Sequence, residues 1–244
     1  MQLDGKGAVV TGAGSGIGEA IAAAFAREGA RVVSVGRTAA KLEAARQRAG
    51  ELADRIHPFA VDVSDREGIG RMAQFARETI GRVDLLVNNA GTNVPDRALA
   101  KLSNDDWERM VEVNLNGPFY LVREFLPAMR AHGDGLIITV SSVAGVRPSV
   151  LAGVGYSASK HGSAALGISI GLEEGENGVR SCVICPGEVN TPILDNRPVV
   201  PDAEARAKML QPADLARAAL LAATLHPRAT IPLMVISPTT QKFA

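Results

Sequence analysis

Residues 156–160 read YSASK. On a helix, Tyr156 and Lys160 would lie on one face, since they are four positions apart. An ammonium beside a phenol favours the phenolate and lowers the phenol's pKa, which makes an acid/base usable near neutral pH. The chain has only 2 tyrosines, so the placement of one in such a pair is informative. A plain surface pair is the alternative at this spacing. Just upstream, VSSVAG closes an apolar run and carries Ser142. A hydroxyl at the C-terminal edge of a strand can hydrogen-bond a carbonyl oxygen, or simply cap a loop.

Residues 113–119 read VNLNGPF, inside a long helical pattern. Ser103 and Asp106 mark its start, spaced as a capping box with Asp in place of Glu or Gln. Pro118 has no N–H for the carbonyl of Asn114. That carbonyl is left free to hold a water, and a helix kink is expected there. A kink that serves packing alone is the other reading.

Residues 11–18 read TGAGSGIG. No register fits the G-x-G-x-x-G dinucleotide fingerprint. The acidic residue expected about 20 positions further on is also missing; Gly36 and Arg37 stand in that neighbourhood. Yet the surrounding AVVTGAGSGIGEAIAAAFAREGA reads strand, glycine turn, helix. Glycines let a backbone approach a pyrophosphate, and the helix start offers free N–H groups and a positive dipole end.

Seven short apolar runs must position these groups: 7–11, 31–35, 56–61, 84–89, 135–141, 179–185 and 232–236. They are mostly continuous rather than alternating, as in parallel strands buried on both faces. Helical patterns alternate with them at 16–28, 39–50, 64–80, 104–131, 156–176 and 212–225. The rhythm predicts one doubly wound α/β domain over residues 1–244, with a parallel seven-stranded sheet flanked by helices on both faces. Residues 186–211 follow a strand end, hold four prolines and read as an irregular substrate loop.

The composition is that of an ordinary soluble globular chain, with 46% apolar and 21% charged residues. Aromatics are only 4%, so aliphatic side chains and alanine must build the core. Basic and acidic residues balance at 26 each, which gives nucleic acid or anionic membrane no electrostatic handle. The opening MQLDGKGAVVTG is not read as a secretory leader, and no stretch is apolar for the ~20 residues of a membrane span. A cytoplasmic location is expected. Cys182 and Cys185 form a C-x-x-C pair within a strand pattern. Side chains three apart on a strand face opposite ways, so neither a disulfide nor a shared metal is expected; buried core thiols are.

Taken together, these stretches resemble the compact single-domain branch of the short-chain dehydrogenase/reductase family, over roughly residues 5–236. The family's loop has the form T-G-x-x-x-G-x-G, which Thr11 to Gly18 match in full. The resemblance implies a Rossmann-like fold and a nicotinamide cofactor. Its contacts would include Gly12, Ser15, Gly16, Ile17 and Gly18 in the loop. Asp62 and Val63 match the pair that contacts adenine, and Asn89, Ala90 and Gly91 lie in the NNAG segment beside the cofactor. Pro186, Gly187, Val189 and Thr191 lie in the segment that holds the nicotinamide end. Asn114, Ser142, Tyr156 and Lys160 match the catalytic tetrad, and Tyr156 and Lys160 also touch the cofactor.

The implied reaction is hydride transfer between nicotinamide and a carbonyl or secondary alcohol. Tyr156 is the proton donor and Ser142 polarises the oxygen. Lys160 binds ribose and lowers the Tyr156 pKa, and Asn114 positions a water. Arg37, where NAD-preferring members carry Asp one residue earlier, favours NADP over NAD; Ser15, at a position often basic in NADP-binding members, argues the other way. The tail IPLMVISPTTQKFA resembles members acting on 3-hydroxy acids, and a 3-oxoacyl substrate is of the same type. Arg147 could meet a carboxylate or be an ordinary loop arginine, and Glu188 would help shape the pocket. The glycine-rich helix 156–176 implies a homo-oligomer, a dimer or tetramer, with close packing inside one chain as the alternative. Other readings are a catalytically silent NADP-sensing regulator and an epimerase or dehydratase using the same Tyr–Lys pair.

Overall fold

The strands Gly7–Thr11 (β1), Arg31–Gly36 (β2) and Ile56–Ala60 (β3) run in parallel outward from β1 in the computed structural model, which describes residues 1–241. The chain then crosses back, and Leu85–Asn88 (β4) pairs with the other side of β1. Gly135–Val140 (β5), Val179–Pro186 (β6) and Leu233–Ile236 (β7) continue outward from β4, giving the order β3-β2-β1-β4-β5-β6-β7. Every pairing is parallel. The order reverses between β1 and β4, and a crevice at such a switch point is where open α/β sheets bind ligands.

The strands are apolar throughout because each buries both faces. In β1, Ala8 and Val10 face one cluster, with Ile21, Phe25 and Leu215, while Val9 faces the other, with Met72, Leu121 and Phe125. The first layer holds Gly16–Arg27 (α1), Ala39–Arg48 (α2) and Pro212–Thr224 (α8). The second holds Arg66–Ile80 (α3), Gly117–His132 (α5) and Val154–Glu174 (α6). The sparsity of aromatics shows in the packing of α1 on α8, where Ala22, Ala26, Ala216, Ala219 and Ala223 are buried and let the helices approach closely. Cys182 and Cys185 fall in different clusters, both buried and free. Pro58 sits in β3, at the sheet edge where a missing N–H costs least.

Two elements differ from the sequence reading. The long helical pattern 104–131 divides into Asn104–Val111 (α4), a π-helical turn Glu112–Asn116, and α5. Pro118 is the physical reason, because it cannot donate to Asn114. Residues 186–211 are not wholly irregular. They contain a 3₁₀ turn at Pro192–Asn196 and the short helix Ala203–Ala207 (α7). Their ends are pinned where Gly187 N–H donates to Ile236 (2.7 Å) and Leu210 N–H to Glu188 (3.0 Å). The glycines of α6 pack inside the chain: a Cβ on Gly167 would stand 2.5 Å from the Val183 side chain, and one on Gly162 2.9 Å from Leu115. Their abundance is thus accounted for without a second subunit. The last three residues of the tail motif, 242–244, lie outside the described residues.

Candidate active site

Thr11 ends β1 and ties it to β4. Its hydroxyl donates to the Val87 carbonyl (3.1 Å) and accepts from the N–H groups of Asn89 and Ala90 (3.0 Å each). The Asn89 amide donates back to the Thr11 carbonyl at 2.9 Å. The loop above this clip turns through Gly12 and Gly16, at φ of +66° and +58°, a region that strains any L side chain. A Cβ on Gly18 would run into the Gly12 carbonyl and the Asn89 amide. Ser15 precedes α1, and its side chain makes no cap hydrogen bond. Its hydroxyl and the first N–H groups of α1 are therefore available to an anion.

From this loop a cleft of about 410 Å³ runs in both directions. One end is lined by Arg37 after β2, Lys41 on α2, and Asp62 and Val63 after β3. Two cations converge there. The Asp62 carboxylate accepts from Ser64 N–H (3.0 Å) and hydroxyl (2.8 Å). Lys41 was not foreseen from sequence, since it stands amid an ordinary charged helix face.

The other end is lined by Ser142, Tyr156 and Lys160, with Ala90, Gly91, Pro186, Gly187, Val189 and Thr191. Tyr156 and Lys160 share one face of α6, and Ser142 follows β5. The Ser141 hydroxyl donates to the Lys160 carbonyl at 2.8 Å, fixing α6 on the end of β5. Lys160 Nζ donates to the Val140 carbonyl at 2.9 Å and lies 5.8 Å from the centre of the Tyr156 ring. A Cβ on Gly91 would sit 3.3 Å from that nitrogen, so glycine there leaves the ammonium its space. The Ser142 hydroxyl accepts from Ala144 N–H (3.1 Å) and lines the cleft with the Tyr156 phenol.

The electrostatics depart from expectation. Burial pushes the Tyr156 phenol above its ordinary value, while Ser142, Arg97 and Arg197 pull the other way. Burial also drives Lys160 down to about 8. Desolvation penalises the charged form of both groups, and the cations that ease ionisation of the phenol are Arg97 and Arg197 rather than the Lys160 read from YSASK.

Asn114 is buried in the π-helical turn, behind the cleft rather than on its wall. Its side chain accepts from Thr92 N–H (2.8 Å) and donates to the Thr92 carbonyl and the Ser159 hydroxyl (3.0 Å each). Ser159 in turn donates to the Tyr156 carbonyl at 2.9 Å. The amide thus links the segment after β4 to the helix bearing Tyr156, a role invisible when attention falls on the carbonyl alone. Gly18 likewise lies beneath the loop, while Gly12, Ser15, Gly16, Ile17 and Asn89 face the cleft. Arg147 is exposed and does not line it. Arg97 and Arg197 do, and Arg197 pairs with Glu188 at 2.8 Å. Nothing in their local patterns separated them from loop arginines.

The family model described as short chain dehydrogenase matches residues 6–199. The chain belongs to the short chain dehydrogenase family. Its members are oxidoreductases, and the Rossmann-like fold agrees with solved neighbours. A 3-oxoacyl-acyl-carrier-protein reductase of Thermotoga maritima is 33% identical over 198 residues, 81% of this chain and 80% of the relative. The closed form of a serine dehydrogenase complexed with NADP+ superposes with a TM-score of 0.89 at 30% identity, covering 98% of this chain and 97% of that one. A 3-ketoacyl-(acyl-carrier-protein) reductase from Brucella melitensis complexed with NADH gives 0.88 at 29% identity, covering 97% and 98%.

Proposed function

We propose that this short chain dehydrogenase interconverts a carbonyl and a secondary alcohol on a small molecule of 3-hydroxy acid or 3-oxoacyl type, using NADP in preference to NAD. The observation that carries the reading is one continuous cleft. It joins the glycine loop and the Arg37–Lys41 cations to Ser142, Tyr156 and Lys160. The named activity of the Thermotoga relative supports the substrate type. The neighbours include both an NADP+ and an NADH complex, so the preference rests on this chain's own cations.

The residues suit such a cofactor. The glycine loop and the start of α1 would take the pyrophosphate. The guanidinium of Arg37, with Lys41, would pair with a 2′-phosphate. Bound nicotinamide supplies hydride chemistry at the substrate carbon. The chain's own part is proton transfer and orientation. Held in its protonated form by burial, Tyr156 donates from its hydroxyl to the oxygen that gains charge during reduction, and accepts that proton back in oxidation. Ser142 hydrogen-bonds the same oxygen. Lys160, anchored on Val140, holds its charge toward the ribose and the phenol. Asn114 keeps Gly91–Thr92 and α6 in register around that lysine.

A homo-oligomer belongs to the same reading, with the exposed Trp107, Phe119, Ile168 and Leu172 on α4, α5 and α6 as its apolar surface. The deciding experiment follows NADPH absorbance across a panel of ketones, quinones and β-keto acyl compounds. Turnover that disappears in Tyr156→Phe supports the reading. Cofactor binding without turnover on any carbonyl would replace it with a sensing role.

A further inference from the structure

Arg97 is a buried cation without a carboxylate. It is 8% exposed. Its Nε donates to the Val94 carbonyl (2.9 Å), one terminal nitrogen to Leu151 (3.1 Å) and the other to Asn196 (2.5 Å). These carbonyls come from three separate segments: the stretch after β4, the turn before α6, and the 3₁₀ turn after β6. The other guanidinium at this end, Arg197, is matched by Glu188. Among the described residues no carboxylate pairs with Arg97, so this guanidinium, like the Lys160 ammonium held only by a carbonyl, stays uncompensated at the Tyr156 end of the cleft.

A buried charge is costly unless paired, and three carbonyl dipoles compensate it only in part. A guanidinium has five donors. Three hydrogen bonds leave one N–H on each terminal nitrogen, donors of the kind that receive a carboxylate. We propose that the substrate carries a free carboxylate, received by Arg97 beside the Tyr156 hydroxyl. The proposal rests on the oxidoreductase reading above and narrows it, favouring a free hydroxy or oxo acid over a neutral thioester. The positive charges of Arg97 and Arg197 already act on the phenol, easing its ionisation against the effect of burial, so the two groups share one electrostatic neighbourhood. The cofactor's phosphates would have their own partners in the glycine loop, the start of α1 and the Arg37–Lys41 end of the cleft.

The test uses matched pairs, a small 3-oxo acid and its methyl ester, with NADPH and the full chain. The wild type is expected to favour the acid in kcat/KM. Arg97→Met should lower the acid-to-ester ratio by about 10–100-fold, through KM of the acid, as loss of a charge-assisted bond implies. Arg97→Lys should restore part of it. Glu188→Gln frees Arg197 and should raise the ratio several-fold; Arg97→Lys is the arm that decides if Arg97→Met does not fold. An acid-to-ester ratio near one in the wild type overturns the proposal. So does a proportional loss on both substrates in Arg97→Met, which marks a purely structural arginine, or a rise in the KM of NADPH instead. If neither compound turns over, the wider carbonyl panel tests the oxidoreductase reading separately. Calorimetry of the acid and ester on the chain with NADP+ then decides: binding of the acid alone, lost in Arg97→Met, sustains the carboxylate site, and equal or absent binding removes it.

Discussion

Lys160 on α6 donates to the main-chain carbonyl of Val140, the last residue of β5, at 2.9 Å, and is only 4% exposed. One ammonium is therefore held in the core by a backbone dipole, with no carboxylate beside it. Its pKa of about 8 in the folded chain lies below the ordinary 10.5. The unfolded chain binds the proton more readily between those values. Stability therefore carries the full cost below pH 8 and recovers as pH rises toward 10.5.

Lys160→Met should then stabilise the protein without ligand at pH 7, by about 1–3 kcal/mol, while abolishing turnover. Calorimetric melting at pH 7 and pH 10 checks this, and the gain should shrink at the higher pH. A lower melting temperature at pH 7 would count against the buried-charge account.

The same two groups set the pH dependence of catalysis. In the reductive direction Tyr156 must be protonated and Lys160 charged. Burial keeps the phenol protonated beyond its ordinary range, so the first alkaline loss in kcat/KM belongs to Lys160, with a midpoint of about 8. Stopped-flow NADPH oxidation between pH 6 and 10 measures it. A profile flat through about pH 9 would show that Lys160 is not the titrating group.

Cofactor choice should depend on Arg37 and Lys41. Arg37→Ala is expected to weaken NADPH binding by about 10–100-fold, the size of a charge-assisted contact, and NADH binding little. Lys41→Ala should act in the same direction with smaller effect. Fluorescence titration of both cofactors provides the comparison. Equal losses would place Arg37 away from the 2′-phosphate.

Asn114→Ala removes three hydrogen bonds to Thr92 and Ser159 and leaves the half-buried N–H and carbonyl of Thr92 unmatched. A loss of about 1–3 kcal/mol in denaturant unfolding is expected, together with a fall in kcat. Asn114→Asp keeps the acceptor for Thr92 N–H but places a carboxylate next to the Thr92 carbonyl, and should not rescue kcat. Full activity in either variant would reduce the side chain to packing.

Much of this was legible in the residues because it depends on local pattern. Continuous β-branched runs such as RVVSV could only be strands covered on both sides, and Val33 and Val35 indeed face a different cluster from Val32. The T-G-x-x-x-G-x-G spacing placed the loop, and YSASK placed two side chains on one helical face. Features made by distant segments were not legible. Arg97 gains its character from carbonyls at residues 94, 151 and 196, which no window of sequence contains. The phenol's shift reflects burial by several elements at once, whereas the motif shows only the neighbouring cation. Lys41 joins Arg37 only because α2 folds back over the glycine loop, with a Cβ on Gly14 coming 3.2 Å from that of Lys41.

The π-helical turn at Glu112–Asn116 makes the spacing of this helix unusually intolerant of indels. Such a turn accommodates one residue more than a regular α-helix would. Deleting one of its residues other than Asn114 would let the turn close into ordinary α winding; the helices on either side would keep their registration, but the residues of the turn would lose the wider geometry that aims them. The Asn114 amide would swing away from Thr92 although every remaining side chain kept its identity. Chain length between Ser103 and Pro118 is thus as much a determinant of this site as the residues themselves, and an engineer trimming the helix by one would dismantle it with no point substitution at all.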